Sequence, residues 1–267
     1  MSNWTVGCIG IGVMGSALME SVMRVIDAGQ VTVFDPDTAK LEAFCQKTGC
    51  NEASSNKNIV SDSDFVFLAV KPQYLPGVLE EISPSIKPGT VLVSMAAGVR
   101  IELVRKHLEG HPLIIRIMPN TPAAVGSAMI AIAPDSAVPP ERVTELRRLL
   151  SSAGLTEITN ESLMDAVTAV SGSGPAYGYL FIEALADAAV QMGMPRQQAI
   201  RYAAQTLKGA ADMVLQTGAH PGALKDGVCS PAGTTIAAVT TLEAKGFRSA
   251  VIDAALAAWE RSKELGK

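Results

Sequence analysis

The sequence predicts two architectures in series, an α/β half built on a parallel sheet and an all-α half behind it. Three observations carry this. Short β-branched runs alternate with helical patterns along the first part of the chain, and those runs are apolar on both faces, as in strands buried between helix layers. After about residue 162 the strand signal vanishes and only helical segments follow. We therefore divide the chain into 1–162 and 163–267, a length that accommodates two domains of moderate size.

Strands are expected at 6–9, 31–34, 65–70, 91–94 and 113–118, with helices at 13–27, 36–47, 72–86 and 100–108 between them. Segments 125–133 and 155–158 flank a helix at 139–152 and read as late additions to the sheet, punctuated by Pro134-Asp135 and Pro139-Pro140. The all-α half is expected to hold helices at 163–170, 175–192, 196–217, 233–244 and 247–265. Its breaks fall at Ser171-Gly172-Ser173-Gly174, Gly193, Thr217-Gly218 and Lys245-Gly246. In the second of these helices Tyr179, Ile182, Leu185, Ala186 and Ala189 share one side, and the small residues call for close helix packing.

Composition narrows the function classes. A hydrophobic content of 48% against 18% charged residues is rich for a soluble monomer, so part of the apolar surface is expected between subunits. A formal charge of -4 provides no basic face for nucleic acid. The start, with polar Ser2 and Asn3, has no cationic leader, and no apolar run approaches about 18 residues; a soluble, cytoplasmic protein without membrane association is expected. Cys8, Cys45, Cys50 and Cys229 form no CxxC pair, and His107, His111 and His220 form no metal motif, so reduced thiols and no metal are expected.

The segment 6–9 feeds directly into Gly10-Ile11-Gly12-Val13-Met14-Gly15, a GxGxxG run between a strand and a helix. Its glycines permit a tight turn, close approach of a pyrophosphate and close helix–sheet packing, while the helix start offers unpaired N–H groups. In this strand–loop–helix setting it reads as the Rossmann dinucleotide fingerprint, with a purely structural glycine turn as the competing reading. Asp35 closes the second strand twenty positions after Gly15, where a carboxylate bonds the adenosine ribose 2'-hydroxyl and repels a 2'-phosphate. It suits equally a helix cap ahead of Pro36. Ala69-Val70-Lys71-Pro72 ends another strand at the ligand edge, with Lys71 either facing the nicotinamide ribose or phosphates or simply solvated. Met118-Pro119-Asn120-Thr121-Pro122 ends a further strand in a rigid turn able to hold polar groups beside the nicotinamide, and Ser94 with Ala96-Ala97-Gly98 suits a wall for a planar ring.

A second cluster lies far along the chain. Cys229-Ser230-Pro231-Ala232-Gly233-Thr234-Thr235-Ile236 brings backbone N–H groups and small hydroxyls to a helix start, a setting for a carboxylate. Plain helix capping is the competing reading for Ser230 and the threonines. Ser171-Gly172-Ser173-Gly174-Pro175-Ala176-Tyr177 places Pro175 at a helix start and reads equally as an interdomain turn.

Taken together, these motifs resemble the pyrroline-5-carboxylate reductases over nearly the whole chain. Besides the glycine loop, Ala69-Val70-Lys71-Pro72, Met118 to Pro122 and Ser171 to Tyr177, the run Met192-Gly193-Met194-Pro195 and the stretch 220–247 stand in family order. Asp226, Ser230-Pro231, Gly233, Thr235 and Leu242-Glu243 in that stretch are far more specific than GxGxxG. The resemblance implies reduction of 1-pyrroline-5-carboxylate to L-proline with NADPH or NADH and no metal, the last step of proline synthesis. It also implies a helical domain that intertwines with a partner as a homodimer, some members assembling five dimers into a homodecamer. It puts the substrate carboxylate on the backbone of Ala232, Gly233 and Thr234 near Ser230, and the ring nitrogen on Thr235 as the catalytic residue. Asn56 would lie near the adenosine ribose and Lys71 beside the cofactor. Asp35 departs from the family's usual small or basic residue, which favours NADH on physical grounds with NADPH kept as a second donor. Two other readings are a β-hydroxyacid-type dehydrogenase, for which Lys208 and Lys225 lack the expected surroundings, and a dinucleotide sensor without chemistry.

Overall fold

Strands apolar on both faces need a helix layer on each side, and the computed structural model, which describes residues 4–110 and 112–266, has that construction. The polar start at Ser2 and Asn3, and His111, lie outside the described residues. The strands are β1 (Val6–Ile9), β2 (Val31–Phe34), β3 (Asn51–Glu52), β4 (Phe65–Leu68), β5 (Val91–Ser94), β6 (Leu113–Met118), β7 (Ala128–Pro134) and β8 (Gly154–Ile158). They form one sheet in the order β3-β2-β1-β4-β5-β6-β7-β8. All neighbours are parallel except β6 and β7, which pair antiparallel with Ile117 opposite Ile132. Alternate residues divide between two apolar layers. Val91, Val93, Ile115 and Ile117 join Val6 and Val31 on one face, while Leu92 and Ile114 join Ile9 and Leu68 on the other.

The helices of this region are α1 (Val13–Val22), α2 (Thr38–Thr48), α3 (Asn56–Asp62), α4 (Leu75–Ile82), α5 (Ile101–Lys106), α6 (Pro140–Leu149) and α7 (Met164–Val167). Several are shorter than the sequence suggests, each for a local reason. The first stops at Val22 because the following residues turn and Asp27 accepts the Gly29 N–H at 2.7 Å, starting a separate 3-10 turn. The helix expected at 72–86 is broken into a 3-10 turn, α4 and a second 3-10 turn, with Pro72, Pro76 and Pro84 near their starts. The strand expected from 125 begins at Ala128, because Thr121–Val125 forms a 3-10 turn closed by left-handed Gly126.

By compactness the chain forms two units, one comprising the chain through Ser173 together with the segment from Ala258, the other Gly174–Ala257. The last strand ends at Ile158, and the segment after residue 162 still packs with the sheet: Met164 is fully buried with Met118, Ala131 and Ala133. The second unit holds α8 (Gly174–Gln191), α9 (Arg196–Thr217), α10 (Pro221–Val228), α11 (Thr234–Ala244) and most of α12 (Phe247–Leu265). Among the described residues its fully buried side chains are three alanines, Ala186, Ala199 and Ala203.

The start of β1 is fixed electrostatically as well as by packing. Asp64 Oδ2 accepts the Thr5 N–H and the Thr5 hydroxyl, both at 3.0 Å, and its Oδ1 lies 3.0 Å from Lys87 Nζ. Burial pushes this carboxyl up, but the Thr5 and Lys87 hydrogen bonds outweigh it and hold the group below the usual carboxylate range. A carboxyl so lowered stabilises the fold above its unfolded pKa, and the contribution is lost as pH falls through the lower folded value. Asp64→Asn should therefore cost about 1 kcal/mol at neutral pH, with the urea midpoints of the two proteins converging in acid. Equal midpoints at pH 7 would contradict this account.

Candidate functional site

The glycine loop is shaped by what surrounds it. Gly10 has φ +97, and a Cβ there would stand 2.8 Å from the Ala69 carbonyl oxygen; a Cβ on Gly15 would stand 2.2 Å from the Gly10 oxygen. Both positions are therefore closed to any other residue by the turn itself. Gly12 differs, because a Cβ there would meet nothing within 4 Å and would instead fill the open hollow before α1. No side chain caps α1, so its leading N–H groups face that hollow without a competitor. A bare helix start with backbone that can be approached closely suits a pyrophosphate, so the residues fit a dinucleotide.

Asp35 is tied into this loop. Its Oδ2 accepts the Ile11 N–H at 2.7 Å and the Lys40 ammonium at 3.0 Å, and its Oδ1 accepts the Asp37 N–H at 3.1 Å. Burial works to raise the carboxyl, yet these N–H donors and the lysine hold it below its usual range. The capping role weighed for Asp35 falls to Asp37, whose Oδ1 accepts the Lys40 N–H at 3.2 Å at the start of α2. Lys40 is the residue that sequence reasoning missed, and its signal was present: it stands in the first turn of the helix that follows Asp35.

The remaining sheet positions are less uniform. Ala69 closes on Gly10 as described, and its N–H donates to the Ile9 oxygen at 2.9 Å, so the ends of β1 and β4 meet at the loop. Lys71 is exposed, has no ion pair among the described residues, and precedes the turn that opens with Pro72. Val70 is partly buried against the second apolar layer. Asn120 is committed internally: its amide nitrogen donates to the Ser171 carbonyl and hydroxyl at 3.1 and 3.3 Å, and its Oδ1 accepts the Met129 N–H at 3.2 Å. Asn56 opens α3 and donates to Glu81 at 2.8 Å, while its Oδ1 is buried without a partner among the described residues. The Ser94 hydroxyl at the end of β5 is likewise buried and unpartnered. Of the predicted cofactor residues, the structure gathers Gly10 to Gly15, Asp35 and Ala69 at one sheet edge; no hydrogen bond among the described residues links Asn56, Lys71 or Asn120 to the loop.

In the helical unit, the turn before α11 is strained and open. Ala232 has φ +56, a left-handed conformation that costs a non-glycine residue about 1–2 kcal/mol. Gly233 N–H donates to the Ser230 oxygen at 3.0 Å, and a Cβ on Gly233 would stand 2.3 Å from Ser230 Oγ. Of the three amides expected to meet a carboxylate, Gly233's is thus used to close the turn. Those of Ala232 and Thr234 have no acceptor among the described residues, and no side chain caps the helix. Thr235 is half-buried, and its hydroxyl, like that of Thr234, makes no hydrogen bond among the described residues. Uncapped amides at the positive end of an eleven-residue helix, with two neutral hydroxyls alongside, can bind an anion and orient a polar ring atom.

A Rossmann sheet with a glycine loop, followed by a helical unit whose small core centres on three alanines, defines the class of two-domain dinucleotide oxidoreductases. The comparisons specify the family. A family model described as pyrroline-5-carboxylate reductase dimerisation matches residues 161–265, and one described as NADP oxidoreductase, coenzyme F420-dependent, matches residues 5–98. The chain is 44% identical to a pyrroline-5-carboxylate reductase of Escherichia coli over 264 residues, covering 98% of each chain. It also superposes on a pyrroline-5-carboxylate reductase from Coxiella burnetii with TM-score 0.92, 32% identity and full coverage of both chains. A Plasmodium falciparum pyrroline carboxylate reductase crystallised with NADP bound gives TM-score 0.90 at 32% identity, again over the whole of both chains. The protein belongs to the pyrroline-5-carboxylate reductase family.

The two loop glycines should separate by stability. Gly10→Ala forces a methyl against the Ala69 oxygen at positive φ and should cost more than about 2 kcal/mol, whereas Gly12→Ala should stay within about 0.5 kcal/mol in chemical denaturation. Similar losses for both would refute the assignment of Gly12 to open space.

Proposed function

We propose that the protein reduces 1-pyrroline-5-carboxylate to L-proline with NADPH or NADH, completing proline biosynthesis. The observation that carries the proposal is full-length identity of 44% to enzymes of that name, joined to a glycine cradle whose Gly12 has room for a pyrophosphate. Bound at Gly10 to Gly15, the reduced dinucleotide supplies a hydride. Lys71, Asn56, Val70, Pro72 and Asn120 complete that site in this reading, with Asn120 acting by holding the Met118–Pro122 turn in place.

The helical domain, 163–267, is assigned substrate binding and dimerisation. The Ala232 and Thr234 amides take the substrate carboxylate, supported by the uncapped start of α11, and the Ser230 carbonyl keeps the turn closed through Gly233. Thr235 Oγ orients the ring nitrogen. When the imine arrives protonated, hydride addition to the ring carbon converts its C=N bond to C–N and the nitrogen keeps its proton as the amine of proline, so no acid with a shifted pKa is required. Orientation at van der Waals distance is the protein's main contribution. A β-hydroxyacid-type dehydrogenase would need a lysine acid, but Lys208 is exposed and paired with Asp212 at 2.5 Å, and Lys225 with Asp226 at 2.6 Å. A sensor without chemistry is separated from the enzyme by one assay. Oxidation of NADH or NADPH that depends on added pyrroline-5-carboxylate, with L-proline formed in equal amount, is expected; no oxidation with either donor would end the proposal.

The assembly belongs to the same reading. Leu180, Met192, Leu215 and Ile252 are 66%, 79%, 68% and 57% exposed on the helical unit, which supports a homodimer; the homodecamer is the further assembly that the family resemblance implies. A cytoplasmic location is part of the same reading; Cys50 Sγ donates to Cys45 Sγ at 3.6 Å. Among the described residues no helix is long and apolar enough to cross a membrane, and no group of three or more His, Cys, Asp or Glu could hold a metal ion.

Thr235→Ala should lower kcat at least tenfold while dinucleotide affinity changes little, read by steady-state kinetics beside a fluorescence titration. Matching losses in both would move Thr235 out of the catalytic role. Light scattering on the eluting protein should give a mass of two chains or a multiple of two at micromolar concentration, and a single-chain mass would remove the dimer.

A further inference from the structure

A carboxylate at the end of β2 ordinarily excludes a 2'-phosphate, because two anions would meet there. In this chain that carboxylate is not free. Each oxygen of a carboxylate accepts about two hydrogen bonds, and Asp35 Oδ2 is filled by the Ile11 N–H and the Lys40 ammonium, while Oδ1 holds the Asp37 N–H and has room for one more donor. The charge of Asp35 itself is paired with Lys40. The lysine side chain is 41% exposed against 11% for Asp35, so the ammonium sits on the solvent side of the pair at the end of a flexible stem. Asp37 adds a second carboxylate nearby, bonded to the Lys40 backbone. A doubly charged phosphate entering here would meet two acids and, among residues bonded to Asp35, one base.

We infer that Lys40 is the specificity-determining residue that lets this chain accept a dinucleotide with a 2'-phosphate in spite of Asp35. With an unmodified adenosine ribose, the ammonium stays on Oδ2 and the open position on Oδ1 accepts the 2'-hydroxyl. With a 2'-phosphate, the ammonium turns from Asp35 to the phosphate, and Asp35 retains its Ile11 and Asp37 partners, so the glycine loop keeps its shape. Two cofactors are thus served by one rotating cation. This rests on the proposed assignment of the glycine loop as the dinucleotide site.

The test is a fluorescence titration of NADPH and NADH against the full-length protein, Lys40→Met, Asp35→Ser and the double variant, with thermal melts to confirm folding. Lys40→Met should raise the ratio of the NADPH to the NADH dissociation constant about tenfold and flatten the salt dependence of NADPH binding. The same substitution should raise the ratio again in the Asp35→Ser background, since a direct contact with phosphate does not need Asp35. A ratio unchanged within about twofold in Lys40→Met overturns the inference. So does a rise that disappears in the Asp35→Ser background, because Lys40 would then act only by neutralising Asp35. An unmodified protein that binds neither dinucleotide defeats the loop assignment instead, which keeps the two failures apart.

Discussion

The hydrogen bond from the Ile11 N–H to Asp35 Oδ2, at 2.7 Å, is the interaction around which the sheet edge is organised. Ile11 is 1% exposed, and the turn that places it there is set by Gly10 closing against the Ala69 oxygen. A buried amide in that position costs about 1–3 kcal/mol if it finds no acceptor, and β2 delivers one. Once buried, the carboxylate in turn needs donors, and the Asp37 N–H and Lys40 supply them. Loop, acid and lysine are therefore a single unit: the glycine turn needs the acid, and the acid needs the helix that follows it.

The helical unit is governed by the opposite problem. Its helices α8 and α9 approach closely through Ala186, Ala199 and Ala203, so they gain contact without burying large apolar side chains. Ordering a chain of this length costs of order 1–2 kcal/mol per residue in backbone freedom, which three alanines cannot offset. The large apolar side chains that normally provide the difference, Leu180, Leu185, Ile200 and Leu215 among them, are left on the outside. A second copy of the chain supplies the missing half of a core in the reading favoured above. The strained turn at Ala232 belongs to this same unit.

Much of this was readable in the sequence because it follows from periodicity. Four strands of the central sheet, Val6–Ile9, Val31–Phe34, Val91–Ser94 and Leu113–Met118, have the bounds that their apolar runs indicate, whereas the strand expected at 65–70 stops at Leu68, where the apolar run continues into the turn that closes on Gly10. Three elements escaped for equally physical reasons. Asn51–Glu52 is two residues long and carries no pattern; Asn56–Asp62 is polar apart from Ile59 and Val60 and is started by Ser55, which accepts the Asn58 N–H; Pro221–Val228 is started by His220 Nδ1 accepting from Gly222. The site was legible by residue type but not by partner. GxGxxG announces a turn, yet the spacing does not tell that Gly10 and Gly15 are held by contact while Gly12 is open, or that Gly233 has committed its amide to Ser230. Arg116, 2% exposed within an otherwise apolar strand and reaching Glu161 at 3.4 Å, carried no motif at all.

The distribution of displaced pKa values bears on what kind of chemistry such a protein can perform. Cys8, driven up by burial, and Asp35, Asp64 and Arg116 all lie in the sheet unit, where hydrogen bonds or burial of structural origin account for each. At the turn before α11 the groups left without partners among the described residues are amides and hydroxyls, and the neighbouring Lys225, raised by its hydrogen bond to Asp226, is half-buried. Enzymes that move protons at neutral pH usually bend a titratable group toward that pH by burial or a charged neighbour. A helix start with neutral donors does something else: it fixes an anion by its carboxylate and leaves the rest of the ring to be placed by contact. Such a site fits a reaction whose proton is already on the substrate nitrogen, where the remaining barrier is one of alignment between a hydride donor and a planar carbon.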